Sequence, residues 1–190
     1  MSTLISHSHK WGFIHIPKTG GTTISNILQK EQDCEVVTGH DSLRILDASN
    51  YFIFTFVRNP FTRLQSAFLH GVREGFYKND FSYFLKNVNT NDLWLLPQSY
   101  YVNSGKTADK KISFIGKYEN FTKDVDMIFD KLGIINVELP HLNKNPKYDK
   151  HPNLQQDRYY KMLYDAEWQK DWVRERYKDD FKQFNYELDI

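Results

Sequence analysis

The sequence predicts an α/β fold in which helices flank a central, mainly parallel sheet, and three observations support this. Apolar runs typical of buried strands alternate with segments of helical periodicity. The run over residues 51–57 is almost continuously apolar, as expected for a strand covered on both faces. The length of 190 residues suits one domain with a sizeable core, so we predict a single domain over 1–190.

Composition excludes several classes of function. A formal net charge of +1 argues against general binding of nucleic acid, so any anion site must be local. The single cysteine, Cys34, excludes an internal disulfide. No apolar run approaches the length of a membrane span, and residues 1–9 lack the apolar stretch of a signal peptide. We therefore expect a cytoplasmic protein with a loose N-terminal end.

The first strand, loop and helix predict an anion site. Residues 11–16 (WGFIHI) form an apolar strand, 17–23 (PKTGGTT) a polar loop, and a helix starts at Ile24. Helix N-termini favour anions, and Gly20 and Gly21 allow a ligand close to the backbone. Lys18 adds a positive charge. The alternative is an ordinary turn with solvated polar side chains. The loop is not a Walker A motif, because Lys18 precedes the glycines.

The remaining elements follow in order along the chain. We predict strands over residues 34–37, 51–57 and 112–116, a short helical turn over 42–46, and helices beginning at Pro60, near Phe81 and near Asn120. Asn59 and Pro60 are typical of a helix start, and Gly133 is typical of a helix end. Residues 155–184 predict a charged helical segment that is broken near Asp165.

A second anion grip is predicted after the central strand. Arg58 ends the strand over residues 51–57, and Ser66 follows about two turns into the next helix. An Arg guanidinium offers several donors in one plane and a Ser hydroxyl offers one more, which suits a phosphate. The alternative is an Arg paired with a carboxylate and a solvated Ser. In parallel sheets, ligands bind at the carboxyl ends of the strands, where both Lys18 and Arg58 are expected.

These segments resemble a known family of enzymes. Residues 13–23 (FIHIPKTGGTT) resemble the 5′-phosphosulfate loop of sulfotransferases, and 56–68 (FVRNPFTRLQSAF) resemble their 3′-phosphate motif. The pattern is most similar to that of the carbohydrate group that includes heparan sulfate 2-O- and 6-O-sulfotransferases. Weaker similarities to this group lie over residues 115–121, 139–144 and 177–186.

The resemblance implies 3′-phosphoadenosine-5′-phosphosulfate (PAPS) as the co-substrate and a P-loop-like three-layer sandwich as the fold. The 5′ end of PAPS would be held by Lys18, Thr19, Gly20, Gly21, Thr22 and Thr23. Arg58 and Ser66 would hold its 3′-phosphate, with Asn143 and Lys144 closing over the nucleotide. The partner is then an acceptor, a carbohydrate or another hydroxyl compound, and neither a metal nor a nucleic acid is expected.

Transfer to a hydroxyl calls for a general base, and His40 is the predicted one. It lies in a polar loop after the strand over residues 34–37, at the sheet edge of Lys18, and related enzymes have a His or Glu in this region. Lys18 would stabilise the leaving phosphate. His141 is the second candidate base. The alternative for His40 is a local role in its own loop, capping residues 42–46. A P-loop-type kinase or NTPase and a non-catalytic nucleotide-binding module are the alternative functions.

Overall fold

The chain folds into two compact units, which we describe separately. The structure, a computed structural model, describes residues 3–37, 50–103, 112–135 and 163–189. The first unit comprises Met1–Arg58 with Gln98–Leu142, and the second comprises Asn59–Pro97 with Asn143–Ile190. All strands of the described residues belong to the first unit, and the second is helical. The predicted mixed α/β class is confirmed.

A five-stranded sheet forms the centre of the first unit, in the order β3-β1-β2-β4-β5. Its strands are β1 (Thr3–Ser6), β2 (Trp11–Ile14), β3 (Glu35–Val37), β4 (Phe52–Val57) and β5 (Phe114–Lys117). Strand β1 is antiparallel to both β2 and β3, so those two point the same way. Strand β4 is parallel to both β2 and β5. Every strand except β1 therefore has one direction, which confirms the mainly parallel sheet.

Strand β1 corrects the prediction of a loose N-terminal end. Residues Thr3–Ser6 are buried along their whole length. Leu4 and Ile5 are only 1% and 3% exposed. The strand pairs on one side with β2 and on the other with β3, so its backbone groups are satisfied from both sides. These long-range partners, rather than the short sequence itself, make the segment a strand.

The α-helices in the described part of the first unit are α1 (Gly21–Glu31), α4 (Gln98–Asn103) and α5 (Phe121–Leu132). Helix α1 begins at Gly21, earlier than the predicted start at Ile24, because Gly20 already caps it in a left-handed conformation. Helix α5 ends as predicted, with Gly133 at a φ of 72°. Between the helices and the sheet lies an apolar core rich in aromatic rings, among them Trp11, Phe13, Phe54 and Phe56.

The second unit contains α2 (Pro60–Arg73), α3 (Phe81–Asn87), α6 (Glu167–Arg176) and α7 (Lys178–Phe184). The predicted cap of α2 is confirmed, since the Asn59 side chain accepts a hydrogen bond from the Phe61 N–H at 2.9 Å. The charged segment over residues 155–184 is helical in α6 and α7, and Tyr177 separates these two helices. The Tyr177 ring is buried, and its hydroxyl donates to the Leu95 carbonyl at 3.0 Å. Among the described residues, no helix is both long and apolar enough to cross a bilayer.

The burial of β1 can be tested with a matched pair of isoleucines. Ile5→Ala should lower the free energy of unfolding by about 2–5 kcal/mol, because it leaves a cavity in a buried strand. Ile135 is 73% exposed, and Ile135→Ala should change stability by less than about 0.5 kcal/mol. Urea unfolding followed by circular dichroism measures both. Equal effects of the two substitutions would show that β1 is not a buried strand.

Candidate active site

The register of two parallel strands sets up the site. Strand β2 pairs with β4 so that Ile14, the last residue of β2, lies opposite Thr55. The Thr55 hydroxyl donates to the Ile14 carbonyl at 2.7 Å, and this buried bond ties the end of β2 to its neighbour. The loop after β2 and the residue after β4, Arg58, therefore emerge at the same sheet edge. This is the edge at which the sequence predicted a ligand site.

The loop from His15 to Gly20 is held in one conformation by its own contacts. The Thr19 side chain is fully buried, and its hydroxyl donates to the Ile16 carbonyl at 2.9 Å. Thr19 therefore shapes the loop with its side chain and presents almost no surface of its own. Lys18 has a φ of 69°, a left-handed conformation that costs a non-glycine residue about 1 kcal/mol. Gly20 has a φ of 86°, a left-handed conformation that glycine adopts readily. This agrees with the conformational freedom predicted for it.

Both glycines of the loop also lie against aromatic rings of the protein. A Cβ atom on Gly20 would meet the Phe121 ring at 2.5 Å. On Gly21 it would meet the His15 ring at 2.3 Å. The glycines are therefore needed for packing at the start of α1, in addition to any approach of a ligand.

The start of α1 offers donors that fit an anion. The Thr23 backbone N–H donates a hydrogen bond to the Gly20 carbonyl at 3.1 Å. Helix geometry leaves the N–H groups of Gly21 and Thr22 without an acceptor inside the helix, and the helix dipole favours negative charge there. The Thr22 side chain is exposed, whereas that of Thr23 is buried. A phosphate or phosphosulfate group would fit here, beside Gly20 and Gly21, the N–H donors of α1 and the positive charge of Lys18.

Arg58 is fixed at the same edge by contacts on several sides. It is only 4% exposed. The backbone N–H of Arg58 donates to the side-chain oxygen of Gln98, and the Gln98 side-chain amide donates to the backbone carbonyl of Arg58. Both distances are 2.8 Å. The guanidinium lies over the Tyr118 ring at 4.1 Å, and one of its N–H groups donates to the Lys18 carbonyl at 3.4 Å. The structure thus joins the two predicted anion grips through Lys18 and Arg58.

Sequence reasoning did not assign Gln98 and Tyr118 to this site. Gln98 stands 40 positions from Arg58 in the sequence and is completely buried. Such an amide looks like any other polar residue in a sequence, and only the fold shows that it brackets the Arg58 backbone. Tyr118 lies in the weak similarity over residues 115–121, which was the one available signal.

His15 is placed differently from the prediction of a residue inside the strand. It follows the last residue of β2 and is half-buried, with its ring stacked on Phe13 at 5.9 Å between centroids. Burial, with a smaller contribution from the charge of Lys18, lowers the pKa of His15 to about 4. The imidazole is therefore neutral at physiological pH and offers one donor and one acceptor.

The remaining predicted site residues lie in the second unit or outside the described residues. Ser66 lies in α2 of the second unit and is half-buried. His40, the predicted turn over 42–46, His141, Asn143 and Lys144 lie outside the described residues.

Strand β3 ends at Val37, three residues before His40, and points the same way as β2. It lies two positions from β2 across β1, which is roughly 10 Å at the usual strand spacing.

Comparison with known proteins agrees with this arrangement. The family described as "Sulfotransferase family" matches residues 1–187. Neither the curated proteins nor the solved structures gave a match. Because the family match extends over nearly the whole chain and includes the loop and Arg58, the chain belongs to the sulfotransferase family and is a PAPS-dependent sulfotransferase.

Proposed function

We propose that the chain transfers the sulfuryl group of PAPS to a hydroxyl of a carbohydrate acceptor. The observation that carries this is the joining of two anion grips at one sheet edge, where Arg58 donates to the Lys18 carbonyl at 3.4 Å. The similarity of residues 13–23 and 56–68 to heparan sulfate 2-O- and 6-O-type enzymes supports the carbohydrate acceptor. We also infer that residues 1–190 act as one domain of the P-loop-like three-layer type.

The proposed donor site has two parts. The 5′-phosphosulfate would lie on the loop and the start of α1, against Lys18, Thr19, Gly20, Gly21, Thr22 and Thr23. The 3′-phosphate would bind the guanidinium of Arg58 and the hydroxyl of Ser66. Two separate anion-binding sites suit PAPS, because its 5′-phosphosulfate and its 3′-phosphate stand on opposite sides of the ribose. The guanidinium of Arg58 is already held over Tyr118 and at the Lys18 carbonyl, which supports the role because a held group loses little freedom on binding.

PAPS supplies an activated sulfuryl group, whose S–O bond to the 5′-phosphate breaks as a new S–O bond to the acceptor oxygen forms. His40 would take the proton of the acceptor hydroxyl, and His141 is the second candidate for this role. Lys18 would stabilise the negative charge that grows on the leaving phosphate. As in phosphoryl transfer, most of the catalysis then comes from positioning and charge stabilisation, and the proposed mechanism uses no metal.

Binding of the product adenosine 3′,5′-bisphosphate tests the donor site. Arg58→Ala should weaken binding by about 1.5–3 kcal/mol, or roughly tenfold to a hundredfold, because charge-assisted hydrogen bonds to the 3′-phosphate are lost. Arg58→Lys should recover only part of the affinity, because an ammonium lacks the planar donors. Isothermal titration calorimetry measures each dissociation constant.

The matched control for this experiment is Arg73→Ala. Arg73 is an exposed residue of α2 that pairs with Glu74 at 2.9 Å, so its removal should leave the affinity unchanged. The wild-type protein is also titrated with Mg-ATP. Tight binding of Mg-ATP with none of the bisphosphate would favour a kinase instead. Bisphosphate binding without any turnover of PAPS would favour a non-catalytic binding module.

Catalytic rates test the proposed base. His40→Ala should lower kcat by about 10²–10⁴-fold, because the acceptor hydroxyl loses its proton acceptor. Transfer of ³⁵S from labelled PAPS to a panel of methyl glycosides provides the assay.

His141→Ala is the comparison, and bisphosphate affinity is measured for both variants. A large loss of kcat in His141→Ala alone would move the base to His141. A loss of bisphosphate affinity in His40→Ala would assign His40 to donor binding.

A further inference from the structure

A groove beside α1 is unexplained by the donor site. It has a volume of about 270 Å³ and lies in the first unit, between one side of α1 and the strands β1 and β3. We call it the α1 groove, and its lining is His15, Thr22, Ser25, Asn26 and Gln29, with Leu4 of β1 and Val36 of β3. The four helix residues recur at the i, i+3, i+4, i+7 spacing of one helix face, whereas Ile24, Ile27 and Leu28 face the core.

The α1 groove is polar but carries no charge among its described lining residues. Its helix side offers two hydroxyls and two amides, each able to donate and to accept hydrogen bonds. His15 is neutral at physiological pH, because burial lowers its pKa to about 4. Leu4 and Val36 form an aliphatic floor. A compound with several hydroxyls and an apolar ring face matches this lining, and none of the described lining residues offers a charge to a carboxylate or sulfate. The Lys18 charge that acts on His15 belongs to the neighbouring loop.

One hydroxyl of the groove has an unfilled hydrogen-bonding capacity. Ser25 Oγ is buried and has no hydrogen-bond partner in the described structure. Buried polar groups nearly always have a partner, and an exception needs an explanation. This oxygen has almost no exposed surface, so a ligand hydroxyl would reach it only after the Ser25 side chain turns toward the groove.

The position of the α1 groove connects it to the proposed chemistry. Thr22 belongs both to the groove lining and to the loop that we assign to the 5′-phosphosulfate. Val36 lies one residue before the end of β3, at the edge from which the chain continues toward His40. A hydroxyl held in the groove therefore lies next to the loop that binds the donor.

We propose that the α1 groove binds the acceptor, and that the part of the acceptor held there is an uncharged sugar residue. This inference rests on the proposed sulfuryl transfer to a carbohydrate, and it adds where the acceptor binds and that the bound sugar residue is uncharged. An exposed position on the groove side, Asn26, allows a test that does not disturb the core.

The test uses Asn26→Trp and Ser25→Leu to fill the groove. Lys30→Trp is the matched control, since Lys30 is also exposed on α1 but does not line the groove. Probes are neutral methyl glycosides of glucose, galactose and N-acetylglucosamine, compared with methyl glucuronide, each assayed with ³⁵S-labelled PAPS. Both filled variants should raise KM for the neutral glycosides by about tenfold or more. Their affinity for adenosine 3′,5′-bisphosphate should stay within about twofold of wild type, as should every property of Lys30→Trp.

A binding measurement accompanies the kinetics. In the wild-type protein saturated with the bisphosphate, a neutral glycoside that is sulfated should shift the side-chain amide NMR signals of Asn26 and Gln29.

Transfer to methyl glucuronide alone, transfer to none of the probes, or an unchanged KM in Asn26→Trp would overturn the inference. If Ser25→Leu does not fold, Asn26→Trp decides alone. Failure of the wild-type protein to bind the bisphosphate would instead overturn the proposed function, and this inference with it.

Discussion

The parallel pairing of β2 with β4 is the constraint on which the site depends. It sets Ile14 opposite Thr55, so the loop after β2 and Arg58 after β4 leave the sheet at the same level. The Thr55 hydroxyl adds a bond to the Ile14 carbonyl. A shift of this pairing by one residue would turn the side chains of β4 to the other face and separate the loop from Arg58. The bond between Arg58 and the Lys18 carbonyl exists only in the observed register.

Contacts around this pairing hold Arg58 and the loop after β2 in place without any ligand. Gln98 occupies both backbone hydrogen-bonding groups of Arg58 at the point where the strand ends. The rings of Phe121 and His15 close on Gly20 and Gly21, so the loop has little room to take another shape. Lys18 has a left-handed backbone conformation within this loop. Preorganised donors of this kind bind an anion with a small loss of conformational freedom.

The sequence predicted features that have local signals and missed those set by distant partners. The Asn59 cap, the Gly133 end of α5 and the buried strand before Arg58 were all predictable, because each depends on a few adjacent residues. Strand β1 was missed, since its burial comes from pairing with β2 and β3. The role of Gln98 was equally hidden, because its partner is 40 positions away. The residues of the loop were enough to predict an anion site there, but they did not predict the burial of the Thr19 hydroxyl.

Helix α1 borders both the proposed donor site and the α1 groove, and it presents a different physical property to each. Its N-terminal end presents backbone N–H groups and a favourable dipole, which suit an anion and fall off within the first turn. Its polar side, from Thr22 to Gln29, presents neutral donors and acceptors. In the proposed assignment, the charge-dependent and the charge-independent parts of recognition are thus separated along one helix. Because the core holds Ile24, Ile27 and Leu28, α1 keeps both surfaces in a fixed relation, and an acceptor bound along its side is presented to whatever anion its end holds.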